Sequence, residues 1–164
     1  MTKGRTIDLA VPDELNLASF FLEENLVQGR GNKTAVYYQD QTYTFNDLCL
    51  LTNKVGNILK DFGVEPENRV LLVLQDSPEW LAGWFGTLKI GGVGTHAYTY
   101  LQAGDYRHFL DLVRPKVVLV DQTTLERVRE GAKGSRLPRA ILVSSPDCPQ
   151  REKNESHLQS LLPM

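Results

Sequence analysis

Residues 69–120 read RVLLVLQDSPEWLAGWFGTLKIGGVGTHAYTYLQAGDYRHFLDLVRPKVVLV and decide the fold. Two short apolar runs in this stretch, Val70–Leu74 and Val117–Val120, are typical of strands buried on both faces of a parallel sheet. A third extended run, Val93–Tyr98, lies between them and is separated from each by a segment with helical spacing of apolar residues. This alternation predicts an α/β fold, in which a mostly parallel sheet carries helices on both faces.

The helix after the first strand has its own start and stop signals. Ser77 can cap it, and Pro78 suits its first turn because the N–H that proline lacks has no partner there. Gly91 and Gly92 can end it. Similar signals predict helices at 106–113 and 122–131 and a strand at 140–143.

The N-terminal part is predicted to hold a helix and a hairpin. Residues 1–15 are predicted to form an irregular leader, and Asn16 can cap a helix that ends at Gly29-Arg30-Gly31. Thr34–Tyr38 and Gln41–Tyr43 are rich in strand-forming residues, which predicts an antiparallel hairpin at the edge of the main sheet.

The clearest helix pattern runs from Thr44 to Phe62, with one apolar stripe and a near capping box formed by Thr44 and Asp47. Cys49 lies on this helix beside apolar residues, so a buried thiol is the favoured interpretation; a disulfide with Cys148 would suit an exported protein. Residues 16–143 are predicted to form one α/β subdomain, followed by a polar, loop-like end at 144–164 in which 158–162 have only weak helical spacing.

Composition narrows the classes of function. The net charge of -2 argues against a nucleic-acid-binding surface, which needs a basic stripe. We see no apolar run of membrane-spanning length and no signal peptide, so we expect no membrane partner and a cytoplasmic location.

Motifs for catalysis are weak. Gly92-x-Gly94-x-x-Ala97 matches a dinucleotide-binding string, but a helix is predicted before it and a strand after it, the reverse of what pyrophosphate binding needs. The sequence has no G-x-x-x-x-G-K-[ST], so a flavodoxin-like nucleotide binder is disfavoured. We predict neither catalytic residues nor metal ligands within these 164 residues.

The best candidate contacts lie at the end of the strand predicted at 93–98. His96, Tyr98, Thr99 and Tyr100 fall at its carboxyl end, where open α/β sheets bind ligands. His96 is a candidate substrate contact. The alternatives are a structural role for His96 and simple packing for the two tyrosines.

Several segments resemble, in order and spacing, those of the adenylate-forming enzymes, which include the acyl-CoA synthetases. The opening and the Gly-Arg-Gly segment resemble the benzoate-CoA ligase branch most. The matching segments are NLASFFLEENL (16–26), GRGNKTA (29–35), TYTFNDL (42–48), GVEPENRV (63–70) and LKIG (88–91).

The resemblance implies a two-step ligase with the large-domain fold of that family. ATP, Mg²⁺ and a carboxylate give an acyl-adenylate and pyrophosphate, and CoA then takes the acyl group as a thioester. The family's phosphate loop ending in Pro-Lys, its ribose-binding Asp and its C-terminal catalytic Lys do not occur among these residues. The expectation is an N-terminal portion that is inactive alone and whose partner is the remainder of the ligase chain.

One departure from the family pattern concerns CoA. Relatives often have Val-Pro-x-x-Asn-Thr where this chain has residues 94–99, GTHAYT. By that resemblance Tyr98 and Thr99 are CoA-side candidates, and Arg127 or Arg129 could meet a CoA phosphate. The alternative for both arginines is a solvated helix face.

A second class of function stays open at this point. The half-domain could serve as a non-catalytic structural module that associates with itself through unsatisfied apolar surface, giving a homo-oligomer.

Overall fold

The computed structural model describes residues 12–136 and 138–144, together with the backbone of 155–157. A π-helical turn, Ser19–Glu23, opens the fold. The elements that follow are α1 (Glu24–Val27), β1 (Thr34–Tyr38), β2 (Gln41–Thr44), α2 (Phe45–Asp61), β3 (Arg69–Val73), α3 (Pro78–Lys89), β4 (Val93–His96), α4 (Ala103–Val113), β5 (Val117–Val120), α5 (Gln122–Ala132), β6 (Ala140–Val143) and β7 (Glu155–His157).

The main sheet is parallel and has the order β4-β3-β5-β6-β7. Its residues alternate between two cores. Val70 and Leu72 face α2 and α3, whereas Leu71 and Val73 face α4 and α5. Both faces of the sheet are therefore covered by helices, which confirms the predicted α/β class and explains why its strands are continuously apolar.

The strand order reverses at β3. The chain passes from β3 outward to β4 and then crosses back to β5 on the other side of β3. Crossover connections are right-handed, so opposite directions of travel place α3 and α4 on opposite faces of the sheet. The carboxyl end of β3 thereby becomes a switch point, where such sheets open a crevice.

Helix caps follow the predicted residues. The Thr44 Oγ1 accepts from the Asp47 N–H at 3.2 Å, and the Asp47 carboxylate accepts from the Thr44 N–H at 2.9 Å. The hydrogen bond from the Thr44 hydroxyl holds the pKa of Asp47 below its usual range. The Ser77 hydroxyl caps α3 by accepting from the Trp80 N–H at 3.2 Å.

The hairpin is confirmed, but its predicted place at the edge of the main sheet is wrong. β1 and β2 pair only with each other among the described strands. β2 ends at Thr44, which caps α2, so the hairpin is carried at the end of the helix layer. There Ala35 and Val36 pack against a third core that includes Leu22, Leu48 and Phe85.

The first helix begins as predicted but is less regular. The Asn16 Oδ1 accepts from the N–H groups of Ala18 and Ser19 at 3.0 and 3.3 Å. The turn that follows is π-helical, and it buries Leu22 but leaves Phe20 and Phe21 exposed. An aromatic pair is thus left on the surface.

Two further predictions meet the structure at the chain ends. The polar stretch 144–156 is not wholly a loop, because Glu155–His157 pairs in parallel with β6. The predicted leader up to residue 11, Cys148 and the weak helical pattern at 158–162 lie outside the described residues.

Cys49 is a buried free thiol, as predicted, and burial raises its pKa. Within the described part of the chain, no helix combines the length and apolar character that a membrane span requires.

Candidate functional site

Two adjoining clefts lie at the carboxyl edge of the sheet in the described structure, and both are lined by Leu74 and Gln75 at the end of β3. We call the first, of about 390 Å³, the tyrosine cleft; its other lining residues are Asp76, Trp80, His96, Ala97, Tyr98, Thr99 and Tyr100. We call the second, of about 490 Å³, the carboxylate cleft; its other lining residues are Tyr38, Gln39, Ser77, Glu79, Asp121, Gln122, Thr123 and Ser144. The switch point of the sheet therefore carries a candidate binding site.

An aromatic cluster forms one wall of the tyrosine cleft. His96, the last residue of β4, lies with its ring centroid 5.2 Å from that of Trp80 and 5.8 Å from that of Trp84. Burial against the indoles lowers the pKa of His96 from its usual 6.5. The imidazole is therefore neutral at pH 7, and it can exchange hydrogen bonds with a ligand without adding charge.

The loop 97–102 also lines the tyrosine cleft, with residues 97–100, and it carries two exposed tyrosines. Tyr98 and Tyr100 are 75% and 73% exposed, and their ring centroids are 6.4 Å apart. Such rings offer a ligand broad apolar faces and a hydroxyl at little cost in side-chain entropy.

The backbone of this loop is held from several sides. The Ala97 N–H donates to the Leu72 carbonyl at 3.0 Å, which continues the β3–β4 pairing. The Gln75 side-chain amide donates to the Thr99 hydroxyl at 3.3 Å. Tyr106 and Arg127 donate to further carbonyls of the loop. The backbone that carries the two exposed tyrosines is thus held in place by hydrogen bonds to the core.

Asp121 is a site residue that sequence reasoning missed. Its carboxylate accepts from the Thr123 and Thr124 N–H groups, which caps α5, and also from the Gln75 N–H at 2.7 Å. The available signal was the pattern Asp-x-x-Thr before a helical stretch, a variant of the capping box. The link to Gln75 has no local signal because it depends on β3 and β5 being neighbours.

The five predicted contact residues are only partly brought together. His96, Tyr98 and Thr99 line the tyrosine cleft. Arg127 lies behind the loop, with its guanidinium directed at backbone carbonyls. The Arg129 side chain is 10% exposed and forms an ion pair with Glu126, and it lines neither of the two clefts. The CoA and substrate roles assigned to these residues stay predictions.

Charge is distributed unequally between the two edges of the sheet. None of the described residues that line the tyrosine or carboxylate cleft is a lysine or arginine. At the amino edge, the lining of a third cleft of about 350 Å³ includes one acidic residue, Glu67, and five basic ones: Arg69, Arg114, Lys116, Arg136 and Arg139. Among the described residues, the two clefts of the carboxyl edge are therefore lined by neutral and acidic groups, and the cationic groups line the cleft at the amino edge.

The glycines of the rejected dinucleotide string have a packing role. A Cβ on Gly92 would lie 2.9 Å from the Thr87 Cγ2, and one on Gly94 would lie 2.9 Å from the Trp84 Cδ1. They let the chain leave α3 and enter β4 closely beneath the indole, with the helix before the strand as expected. Among the described residues, no group of three or more His, Cys, Asp or Glu could hold a metal ion.

Comparison with known proteins decides the family. The sequence pattern of the AMP-binding enzymes matches residues 22–162. The chain belongs to the AMP-binding enzyme family. A 3-hydroxybenzoate--CoA/4-hydroxybenzoate--CoA ligase from Thauera aromatica is 29% identical over 135 residues, which are 82% of this chain and 26% of that protein. A benzoate--CoA ligase from Thauera aromatica is 33% identical over 119 residues, 71% of this chain and 22% of its own length.

The AMP-binding fold is also found in a solved relative. The crystal structure of an anthranilate CoA ligase in complex with anthranoyl-AMP superposes with a TM-score of 0.83 at 29% identity. The match covers 92% of this chain and 28% of that one. The chain thus spans about a quarter of the length of its relatives, and what it shares with them is the α/β architecture described above.

Proposed function

We propose that this chain is the N-terminal portion of an ATP-dependent aryl- or acyl-CoA ligase and supplies part of its CoA side. The full reaction converts a carboxylate, ATP and CoA to acyl-CoA, AMP and pyrophosphate through an acyl-adenylate, with Mg²⁺ and in the cytoplasm. Two relatives that are ligases of aromatic acids with CoA support an aromatic carboxylate as the substrate. The observation that carries the proposal is the tyrosine cleft at the switch point of an AMP-binding chain.

The lining of the tyrosine cleft fits the neutral arm of CoA. The pantetheine arm is a chain of methylenes and amides, which needs apolar faces and a few hydrogen-bonding groups. Tyr98 and Tyr100 offer exposed rings, and Thr99 and Gln75 offer a hydroxyl and an amide. CoA supplies the thiol that takes the acyl group; Tyr98 and Thr99 are proposed to orient the arm that carries it.

The same lining does not fit the triphosphate of ATP. Transfer at phosphorus needs cations and backbone donors around a charged transition state. The described lining of the two carboxyl-edge clefts instead includes Asp76, Glu79 and Asp121. We therefore propose that ATP and Mg²⁺ are held by the remainder of the ligase and that this chain alone does not form the adenylate.

Calorimetric titration of the 164-residue chain with CoA, and separately with ATP and Mg²⁺, tests the proposal. We expect weak, saturable heat with CoA and with pantetheine, and none with ATP. Dephospho-CoA is the matched probe, because it keeps the arm and lacks the 3′-phosphate. Saturable ATP binding would contradict the assignment of the phosphate site to the remainder. Absence of binding by both CoA and pantetheine would contradict the CoA-side role.

A non-catalytic, self-associating module is the second candidate. Phe20 and Phe21 are 48% and 53% exposed, and their rings form an edge-to-face pair with centroids 5.2 Å apart. An exposed aromatic pair favours association with a second copy or with the remainder of a ligase chain. A concentration-dependent dimer with no ligand binding would favour the module.

A further inference from the structure

Arg127 makes a fork of hydrogen bonds to backbone carbonyls. Its Nη2 donates to the Thr99 carbonyl at 2.7 Å and to the Thr123 carbonyl at 3.1 Å, and its Nη1 donates to the Leu101 carbonyl at 3.1 Å. Two of these carbonyls belong to the loop 97–102 and one to α5. The half-buried guanidinium therefore ties the loop to a helix of the core.

Tyr106 holds the same loop from α4. Its side chain is fully buried, and its hydroxyl donates to the Tyr98 carbonyl at 2.8 Å. Burial raises the pKa of Tyr106, and the nearby Arg127 opposes this rise. The phenol keeps its proton at neutral pH, so it stays a donor. Three carbonyls of the loop, those of residues 98, 99 and 101, are thus bound by side chains of two different helices.

We propose that Arg127 and Tyr106 are positioning residues that fix the loop 97–102, so that Tyr98 and Tyr100 present a preformed contact surface to the pantetheine arm of CoA. The contact with CoA rests on the proposed function, whereas the positioning of the loop by Arg127 and Tyr106 does not. A preformed loop binds more tightly because its ordering entropy is lost on folding rather than on binding. This arrangement explains how two tyrosines remain about three-quarters exposed on a loop that is closely hydrogen-bonded to the core.

The geometry distinguishes bracing from direct contact of Arg127 with a CoA phosphate. Bracing requires the planar fork of arginine, because two loop carbonyls and one helix carbonyl are bound at once. A phosphate contact requires positive charge, which lysine also supplies. Arg127→Lys keeps the charge and loses the fork, whereas Arg127→Met loses both, so the two variants separate the two roles.

Chymotrypsin gives a local readout of loop order, because it cleaves after tyrosine. Tyr98 and Tyr100 are the sites of interest, and Tyr37, which is 80% exposed on the hairpin, is an internal reference. Loss of hydrogen bonds from a charged donor is expected to accelerate cleavage at Tyr98 and Tyr100 by about tenfold in Arg127→Met, and by less in Tyr106→Phe. Cleavage at Tyr37 is expected to be unchanged.

Arg107→Met is the matched control. Arg107 lies on α4 and donates to the Gly134 carbonyl at 3.2 Å, so this variant removes an arginine–carbonyl bond away from the loop. Its cleavage pattern is expected to equal that of the wild type. Two results would overturn the positioning role of Arg127 and Tyr106. One is that Arg127→Met and Tyr106→Phe accelerate cleavage at Tyr37 as much as in the loop; the other is that neither variant accelerates cleavage in the loop.

CoA titration completes the test. Both Arg127→Met and Arg127→Lys are expected to weaken CoA and pantetheine by about tenfold, the effect of a hydrogen bond or two. Full affinity in the lysine variant with loss in the methionine variant would instead assign Arg127 to the phosphate and overturn the proposal. If the wild-type chain binds neither CoA nor pantetheine, the proposed function and the contact of the loop with CoA are both wrong. The cleavage pattern would still show whether Arg127 and Tyr106 hold the loop in place.

Discussion

The Asp121 carboxylate accepts a hydrogen bond from the Gln75 backbone N–H at 2.7 Å. Its other oxygen accepts from the Thr123 and Thr124 N–H groups and caps α5. A single side chain therefore joins the carboxyl ends of β3 and β5 and starts the helix between β5 and β6. Gln75 lines both clefts, so Asp121 fixes the boundary between them.

Removal of the Asp121 carboxylate is expected to lower the free energy of unfolding by more than the loss of an ordinary helix N-cap does. Asp121→Ala should lower the free energy of unfolding by about 2–3 kcal/mol, since an N-cap is worth about 1 and a hydrogen bond to a charged group adds about 1.5 or more. Urea unfolding followed by circular dichroism measures this difference.

Asp47→Ala is the matched control, because the Asp47 carboxylate accepts from the N–H of Thr44, the N-cap residue of its own helix, and so completes a capping box. Its expected cost is about 1 kcal/mol. Equal costs for the two variants would show that the Asp121–Gln75 bond adds no stability.

Acid should destabilise the fold in part through His96. Its folded pKa is lowered by burial against Trp80 and Trp84, so the unfolded chain takes up the proton first as pH falls. The contribution of the neutral His96 to the free energy of unfolding is complete above the unfolded pKa of about 6.5. It is lost as the pH falls from there through the folded pKa. An NMR titration of the His96 ring should give a pKa below 6.5. In the His96→Gln variant, the urea concentration at the unfolding midpoint should change less between pH 8 and pH 5.5 than it does in the wild type. A pKa at or above 6.5 would show that the indoles do not desolvate the imidazole.

The wide agreement between sequence and fold has a physical cause. Continuous apolar runs fixed β3 and β5, and Ser77, Thr44 and Asn16 identified helix starts, because caps and burial are local signals. The hairpin was misplaced because its position depends on where α2 packs, which no hairpin residue encodes. The strand at 155–157 was missed because the residues E-S-H lack the apolar run by which a buried strand is found.

Two glycines allow a paired test of packing. Gly94→Ala is expected to destabilise the chain by about 1–3 kcal/mol, because the added Cβ would lie 2.9 Å from the Trp84 Cδ1. Gly104→Ala on α4, where a Cβ would meet nothing within 4 Å, is expected to stabilise by up to about 1 kcal/mol. Thermal unfolding with tryptophan fluorescence measures both. Equal effects of the two substitutions would contradict close packing beneath the indole.

The exposed aromatic pair should drive self-association. Phe21→Glu is expected to reduce any dimer of the 164-residue chain seen by sedimentation velocity at high concentration, because it places charge on the apolar surface. Val27→Glu, at an 80% exposed position on α1, is the control for added charge alone. A dimer that persists in Phe21→Glu would show that this surface is not the interface.

The candidate site was found in part from the sequence because its residues follow one strand. His96, Tyr98 and Thr99 were identified from their position at the carboxyl end of β4, and they do line one cleft. Asp121, Gln75 and Tyr106 were not identified, because their roles come from strand order and from long-range contacts to β3 and to the loop. The arginines were assigned from the family resemblance and their charge, whereas their contacts depend on which side of α5 meets the loop.

The central claim is that the loop 97–102 contacts CoA, and the most direct measurement is the dissociation constant of CoA for Tyr98→Ala compared with Tyr37→Ala. Both tyrosines are at least three-quarters exposed, so neither substitution empties a core. We predict that Tyr98→Ala weakens CoA by about tenfold or more, as loss of an aromatic contact does, and that Tyr37→Ala leaves it unchanged. Equal affinity of both variants and the wild type for CoA would contradict the account.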